Sequence, residues 1–191
     1  FFQAEDGIRD YKVTGVQTCA LPISRDLGSY DRAAIQPYLQ PGVELENGYQ
    51  IWAIRYLTAD QREATATVTL PLDSLQPPPE SGWPIVANAH GTIGLDDPCM
   101  LTGTLSGTGL AGLFGGRGAI GVAPDYVGLG SEGVHRYLDS WQEATAVLDS
   151  LRAASQLASW QATPQSGRMA VVGLSQGGHA VIAAAAWHSR Y

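Results

Sequence analysis

The residues best suited to chemistry in this 191-residue chain are a serine framed by glycines, Gly173-Leu174-Ser175-Gln176-Gly177, and a triplet much earlier in the chain, His90-Gly91-Thr92. A serine hydroxyl is a weak nucleophile until a base takes its proton and donors stabilise the oxyanion it creates. The pattern G-x-S-x-G suits that task because the serine then stands on a sharp turn between a strand and a helix. Among 23 glycines the pattern alone is weak, and a glycine-rich turn with an incidental serine is the alternative. The flanks discriminate: the apolar run Met169 to Val172 leads into the motif, and the alanine-rich stretch Gln176 to Ser189 leaves it as a helix would. Gly173 and Gly177 are then expected where a β-carbon would collide with a neighbouring strand or helix. Ser175 is expected in a strained backbone conformation near a helix N-terminus, whose partial positive charge favours a developing anion.

The Gln176 amide follows the serine and is the first expected oxyanion donor. The second is the Thr92 amide, with Gly91 allowing close approach and His90 supporting the loop. Removing one such donor typically costs about 3 kcal/mol of transition-state stabilisation.

His90 also invites a reading as the catalytic base. Chain order argues against it, because with this kind of elbow the acid and then the histidine follow the serine. His179 falls on the first turn of the helix after Ser175, too close in sequence to swing back, and His188 lies about three turns further on. Asp125, in Ala-Pro-Asp-Tyr, reads as a loop-organising carboxylate. Asp96 and Asp97 are adjacent acids without further ligands, a solvated loop rather than a metal site. No metal or organic cofactor is implied.

The elements that must position these groups can be read from periodicity. Gln50 to Leu57 and Ala64 to Leu70 are β-prone and separated by a polar segment, an antiparallel hairpin at a sheet edge. Leu27 to Gly48, with Pro37, Pro41 and Gly42, reads as an irregular lead-in, and Gln76 to Gly82 as a proline-rich loop. Pro84 to Ala89, Ala119 to Ala123 and Met169 to Val172 are short apolar runs ending in His90, Pro124-Asp125 and Gly173, as buried parallel strands would. Between the last two, Ser140 and Glu143 form an S-x-x-E capping box. Trp141, Ala144, Val147, Leu148, Leu151, Ala154 and Leu157 then recur on one helical face.

Residues 1–24 stand apart. Gln3 to Asp10 (QAEDGIRD) and Val13 to Ile23 (VTGVQTCALPI) resemble the conceptual translation of a sequencing-library adapter, with Tyr11-Lys12 where an index would fall. On that resemblance they are a non-native segment, excluded from fold reasoning together with the junction residue Ser24. Any secretion signal is then not observable. Cys19 leaves the cysteine count, and Cys99 is either a free thiol or half of a bridge whose partner lies elsewhere.

The remainder, 25–191, is long enough for a sizeable core. The whole chain is 45% hydrophobic and 15% charged with a net charge of −7. An acidic chain without a basic run is not expected to bind nucleic acid. The longest apolar stretch is far too short to span a bilayer, so no transmembrane segment is expected.

Three motifs taken together carry a family resemblance: HGTIGLDDPC (His90 to Cys99), VAPDYVGLGSEGVHRYL (Val122 to Leu138) and VVGLSQGGHA (Val171 to Ala180). In order and spacing they resemble the bacterial branch of the secretory lipase family of α/β-hydrolases, from about Glu44 onward. The resemblance implies a partial α/β-hydrolase fold, a mostly parallel sheet with an antiparallel N-terminal hairpin and helices on both faces. Residues 25–191 would be the N-terminal part of one such domain, incomplete at its C-terminus and lacking its later strands. It also implies serine-dependent cleavage of carboxylic esters through an acyl-enzyme on Ser175. Small-molecule or lipid esters would be the substrates, with contact at a lipid interface and an extracellular setting. Cys99 would pair with a later cysteine. The family's acid and histidine fall beyond Ser175, where only 16 residues remain, so the chain as it stands is expected to be inactive. A peptidase or acyltransferase of the same fold is the alternative chemistry.

Overall fold

A computed structural model describes residues 3–4, 23–30, 47–72 and 77–190. Among these, seven strands form one sheet in the order β1-β7-β5-β6-β4-β3-β2. They are β1 (Gln3–Ala4), β2 (Ile23–Tyr30), β3 (Tyr49–Leu57), β4 (Glu63–Pro71), β5 (Trp83–Ala89), β6 (Ile120–Pro124) and β7 (Gln165–Gly173). The helices are α1 (Leu105–Gly115), α2 (Ser140–Trp160) and α3 (Gln176–Trp187).

The sheet is mixed. β5 pairs in parallel with both β6 and β7, while β2-β3, β3-β4, β4-β6 and β1-β7 are antiparallel. The expected β3-β4 hairpin is present but does not form the sheet edge: β2 pairs along the outer side of β3, and β4 pairs with β6, so the hairpin is continuous with the parallel core. The lead-in differs from its irregular reading: Leu27 to Tyr30 continue β2 against β3. Pro37, Pro41 and Gly42 lie outside the described residues. Of residues 1–24, only Gln3, Ala4, Ile23 and Ser24 are described, at the two opposite edges of the sheet; Cys19 is not among them.

Side chains alternate across the pleat, and both faces are covered. Trp52, Ile54, Tyr56, Ala66, Val68 and Leu70 join Val147, Leu151, Ala154 and Leu157 of α2 in the main core. The Tyr56 hydroxyl donates to the Ala146 carbonyl at 2.7 Å, fastening β3 to α2. On the opposite face the threonines of β4 meet α1, where Thr69 Oγ1 donates to the Ala111 carbonyl at 2.9 Å. The alternation of ATATVTL therefore marks a strand whose polar side is buried as well.

Helix α1 has no counterpart in the sequence reading, because four glycines in eleven residues argue against a helix on propensity. Tertiary contact requires three of them, Gly107, Gly112 and Gly115, while Gly109 faces open space. A β-carbon on Gly112 would fall 2.4 Å from the Tyr49 hydroxyl, and one on Gly115 would fall 2.5 Å from Thr69 Oγ1. The Thr104 side chain caps this helix by accepting from the Gly107 amide.

The capping box at Ser140 and Glu143 is also corrected. Asp139 is the N-cap, its Oδ1 accepting from the amides of Trp141 and Gln142 at 3.1 Å. A carboxylate is a stronger acceptor than a hydroxyl at a helix N-terminus, where it also meets the positive end of the dipole. Ser140 becomes the first helical residue, and Glu143 is released for another purpose.

Candidate active site

The sheet register brings the two candidate segments together. Ala89 at the end of β5 pairs with Gly173 at the end of β7, so the segments that follow leave the sheet side by side. Because β5 connects through α1 on one face and β6 reaches β7 through α2 on the other, this is where an open α/β sheet leaves a crevice beyond its carboxyl ends.

Ser175 occupies the bend between β7 and α3 as the N-cap of the helix, with φ 58° and ψ −121°. A non-glycine residue rarely adopts such a backbone, and it costs about 1–3 kcal/mol unless the surroundings hold it there. Those surroundings are tight. A β-carbon on Gly177 would stand 2.0 Å from the Ala89 carbonyl oxygen, and one on Gly173 would stand 2.4 Å from the Gly177 carbonyl oxygen. The serine is exposed, and its hydroxyl makes no hydrogen bond to any described residue. The Gln176 amide, first in the helix, is likewise without an acceptor among them, whereas Gly177 N–H donates to Leu174 O at 2.9 Å and His179 N–H to Ser175 O at 3.1 Å.

The His90-Gly91-Thr92 loop lies against this bend. A β-carbon on Gly91 would be 3.2 Å from the Leu174 carbonyl oxygen, so only glycine lets the two backbones approach without displacement. The Thr92 amide has no acceptor among the described residues, and Thr92 Oγ1 lies 3.0 Å from the Tyr137 hydroxyl.

His90 is buried behind the loop. Its Nδ1 donates to the Gly91 carbonyl at 2.7 Å, which assigns the proton to Nδ1 and leaves Nε2 as a bare acceptor with no partner. Burial holds this imidazole below its ordinary value of 6.5, against the raising influence of the Gly91 carbonyl and of Asp125. With His90 neutral, its 3.8 Å approach to Asp125 Oδ1 is a contact, not an ion pair. The His90 carbonyl accepts from the Tyr126 hydroxyl at 2.9 Å. Burial raises the Tyr126 phenol far above its ordinary range, with Glu143 and Asp125 adding to the effect, so it stays a donor.

Asp125 organises loops. Its carboxylate accepts from the Leu101 amide at 2.8 Å, the Thr102 amide at 3.0 Å, the Thr102 hydroxyl and the Thr65 hydroxyl at 3.0 Å. Asp97 Oδ1 accepts from the Gly130 amide. Among the described residues no cluster of three or more metal-ligating side chains occurs, and Cys99 is a free thiol.

Two residues beneath the bend have no site role in the sequence analysis. Glu143, on α2, accepts from Gln176 Nε2 at 2.8 Å and from His179 Nδ1 at 2.5 Å. His135 lies 2.9 Å from the same Gln176 nitrogen and stacks on Tyr126 at 5.6 Å between centroids. His135 is visible in the sequence only as one position of the stretch Val122 to Leu138, and Glu143 only as part of a capping motif. His188 donates to the Ala185 carbonyl on the surface.

A cleft of about 470 Å³ opens beside the loop, lined by Thr92, Ile93, Leu110 and Leu174 together with Ser106 and Gly109 of α1. Its walls are largely apolar. Ile93 and Leu174 are also exposed at its edge. No helix of the described residues is long and apolar enough to cross a membrane.

Residues 110–191 match the family model described as Secretory lipase. Among solved structures the chain is similar to the rice cell wall degrading esterase LipA from Xanthomonas oryzae, at 27% identity and a TM-score of 0.70, covering 84% of this chain and 43% of that one. It is similar to a putative hydrolase from Legionella pneumophila at 25% identity and a TM-score of 0.73, covering 87% and 47%. Candida antarctica lipase A in its closed state aligns with a TM-score of 0.53 at 20% identity, covering 88% and 38%, a likeness of fold. No curated protein matches the chain. The chain therefore spans less than half the length of these solved structures. Its architecture is a partial α/β-hydrolase fold, and its likeness is to lipases and esterases.

Proposed function

We propose that Ser175 is the nucleophile of a carboxylic ester hydrolase of lipase or esterase type, acting in a parent protein of which this chain is a part. The observation that carries the reading is the Ser175 backbone, φ 58° and ψ −121°, on a strand-to-helix bend. That strained geometry lifts the hydroxyl clear of the sheet, and a turn with an incidental serine has no reason to sustain it.

The Ser175 hydroxyl attacks the ester carbonyl and gives up its proton to a histidine oriented by a carboxylate. The amides of Gln176 and Thr92, both without acceptors among the described residues, donate to the oxyanion. Collapse expels the alcohol and leaves an acyl-enzyme, which water hydrolyses. No imidazole of the described histidines hydrogen-bonds to the Ser175 hydroxyl. The base and acid belong to the parent, and in this chain the serine reacts slowly. The apolar cleft beside Thr92 and Leu174 suits a hydrocarbon arm of the substrate better than a peptide, which supports ester hydrolysis over peptidase chemistry. Interfacial contact with lipid and an extracellular location are part of the same proposal. Residues 1–24 are proposed to be adapter-derived.

The test is to sequence the genomic DNA on both sides of this reading frame and express the full protein. Turnover of p-nitrophenyl esters exceeding that of aminoacyl-anilides, abolished by Ser175→Ala, is the expected result. Full ester turnover by Ser175→Ala would sink the assignment, and genomic DNA that encodes residues 1–24 would sink the adapter reading.

A further inference from the structure

A strained residue persists only where its surroundings over-determine it, and the helix that follows Ser175 has no side-chain cap to hold its first turn. What holds it is a buried carboxylate that the proposed chemistry does not use. Glu143 is 1% exposed. Its Oε1 accepts from the Leu138 amide at 3.1 Å and from Gln176 Nε2 at 2.8 Å, and its Oε2 accepts from His179 Nδ1 at 2.5 Å. The other hydrogen on Gln176 Nε2 goes to His135 Nε2 at 2.9 Å, which makes that imidazole nitrogen an acceptor.

Gln176 and His179 are the first and fourth residues of α3. One carboxylate on α2 therefore fastens the first turn of α3 at both ends. Apolar packing alone holds helices together, and a buried charge is costly unless every partner is in place. Both oxygens of Glu143 and both hydrogens of Gln176 Nε2 are paired here, while Gln176 Oε1 has no partner among the described residues. A buried carboxylate paired at both oxygens selects one arrangement and resists others. The arrangement selected here fixes where the Gln176 amide points and which backbone conformation Ser175 can adopt.

We propose that Glu143 is a positioning residue of the Ser175 bend. By holding Gln176 and His179 it keeps the first turn of α3 rigid, the serine strained and the Gln176 amide directed outward. The catalytic meaning of this clamp rests on Ser175 being the nucleophile; the clamp itself does not.

Hydrogen exchange in the purified chain reads the clamp directly. Gln176→Ala and Glu143→Ala are expected to speed exchange of the Gly177 and His179 amides by about tenfold or more, leaving those of Ala183 and Ala184 unchanged. Glu143→Gln retains most of the protection, because its carboxamide oxygen still accepts from Leu138 and Gln176. Should Glu143→Ala fail to fold, Gln176→Ala and Glu143→Gln decide the matter. Unchanged first-turn exchange in Gln176→Ala, or acceleration spread evenly along α3, would overturn the proposal. In the full-length parent, Glu143→Ala is expected to lower kcat with KM nearly constant. If the parent shows no Ser175-dependent turnover while the exchange pattern holds, the nucleophile reading fails and the clamp stands.

Discussion

Gly91 lies directly against Ser175: a β-carbon on the glycine would stand 3.6 Å from the Cβ of the serine. Two segments far apart in the chain are thereby held in contact, and the amides of Thr92 and Gln176 sit on either side of that contact. A branched side chain at position 91 has no room and must push the loop outward. Gly91→Val is therefore expected to cut ester turnover by the full-length parent about a hundredfold, the effect of misplacing a donor by about an ångström. Steady-state kinetics beside a circular-dichroism melt would check this, and unchanged turnover would place the oxyanion site elsewhere.

The strain at Ser175 predicts a trade between stability and reactivity. Ser175→Gly removes a conformational cost of about 1–3 kcal/mol and adds about 0.5–1 kcal/mol of backbone freedom to the unfolded chain. A net gain of about 1 kcal/mol is expected from urea unfolding. Ser175→Ala keeps the β-carbon and should show no such gain. A destabilised Ser175→Gly would contradict the strained geometry.

His90 makes the fold sensitive to mild acid. Burial depresses its pKa in the folded chain, so below 6.5 the unfolded chain takes up a proton that the folded chain refuses. The stabilising contribution is complete above 6.5 and is lost as pH falls toward the lower, folded value. Urea midpoints at pH 7.5 and 5.5 should differ for the native chain and differ less for His90→Gln. Equal differences in the two proteins would show that His90 is not responsible.

Two glycines should respond in opposite directions to the same substitution. Gly109 lies within α1, and a β-carbon there meets nothing within 4 Å. Gly109→Ala is expected to stabilise by about 0.5–1 kcal/mol. Gly177→Ala would drive a methyl group into the Ala89 carbonyl and is expected to cost about 3 kcal/mol or more. Thermal melts of the two variants separate the cases. Gly109→Leu should also narrow the cleft and shift the parent toward shorter acyl chains, measurable with a series of p-nitrophenyl esters.

Much of the fold was legible because its signals are local. The alternation in ATATVTL, the apolar runs ending at Ala89, Ala123 and Val172, and the helical repeat from Trp141 to Leu157 each depend on spacing within one element. Helix α1 was not legible, since its glycines oppose a helix on propensity, and Gly112 and Gly115 are explained only by Tyr49 and Thr69 across the interface. Asp139 displaced Ser140 as the cap for a related reason. Either residue satisfies the local pattern, and the choice left Glu143 free to turn inward.

The sequence by itself determined that a serine stands on a strand-to-helix bend, because the glycines and the flanking strand and helix are contiguous with it. It also marked His90-Gly91-Thr92 as a loop at a strand end. Only the tertiary structure decided that these segments touch, through the register of Ala89 with Gly173, and that His135 and Glu143 brace the bend from beneath. Those relations join residues from separate elements through burial and hydrogen-bond geometry, which no spacing along the chain encodes.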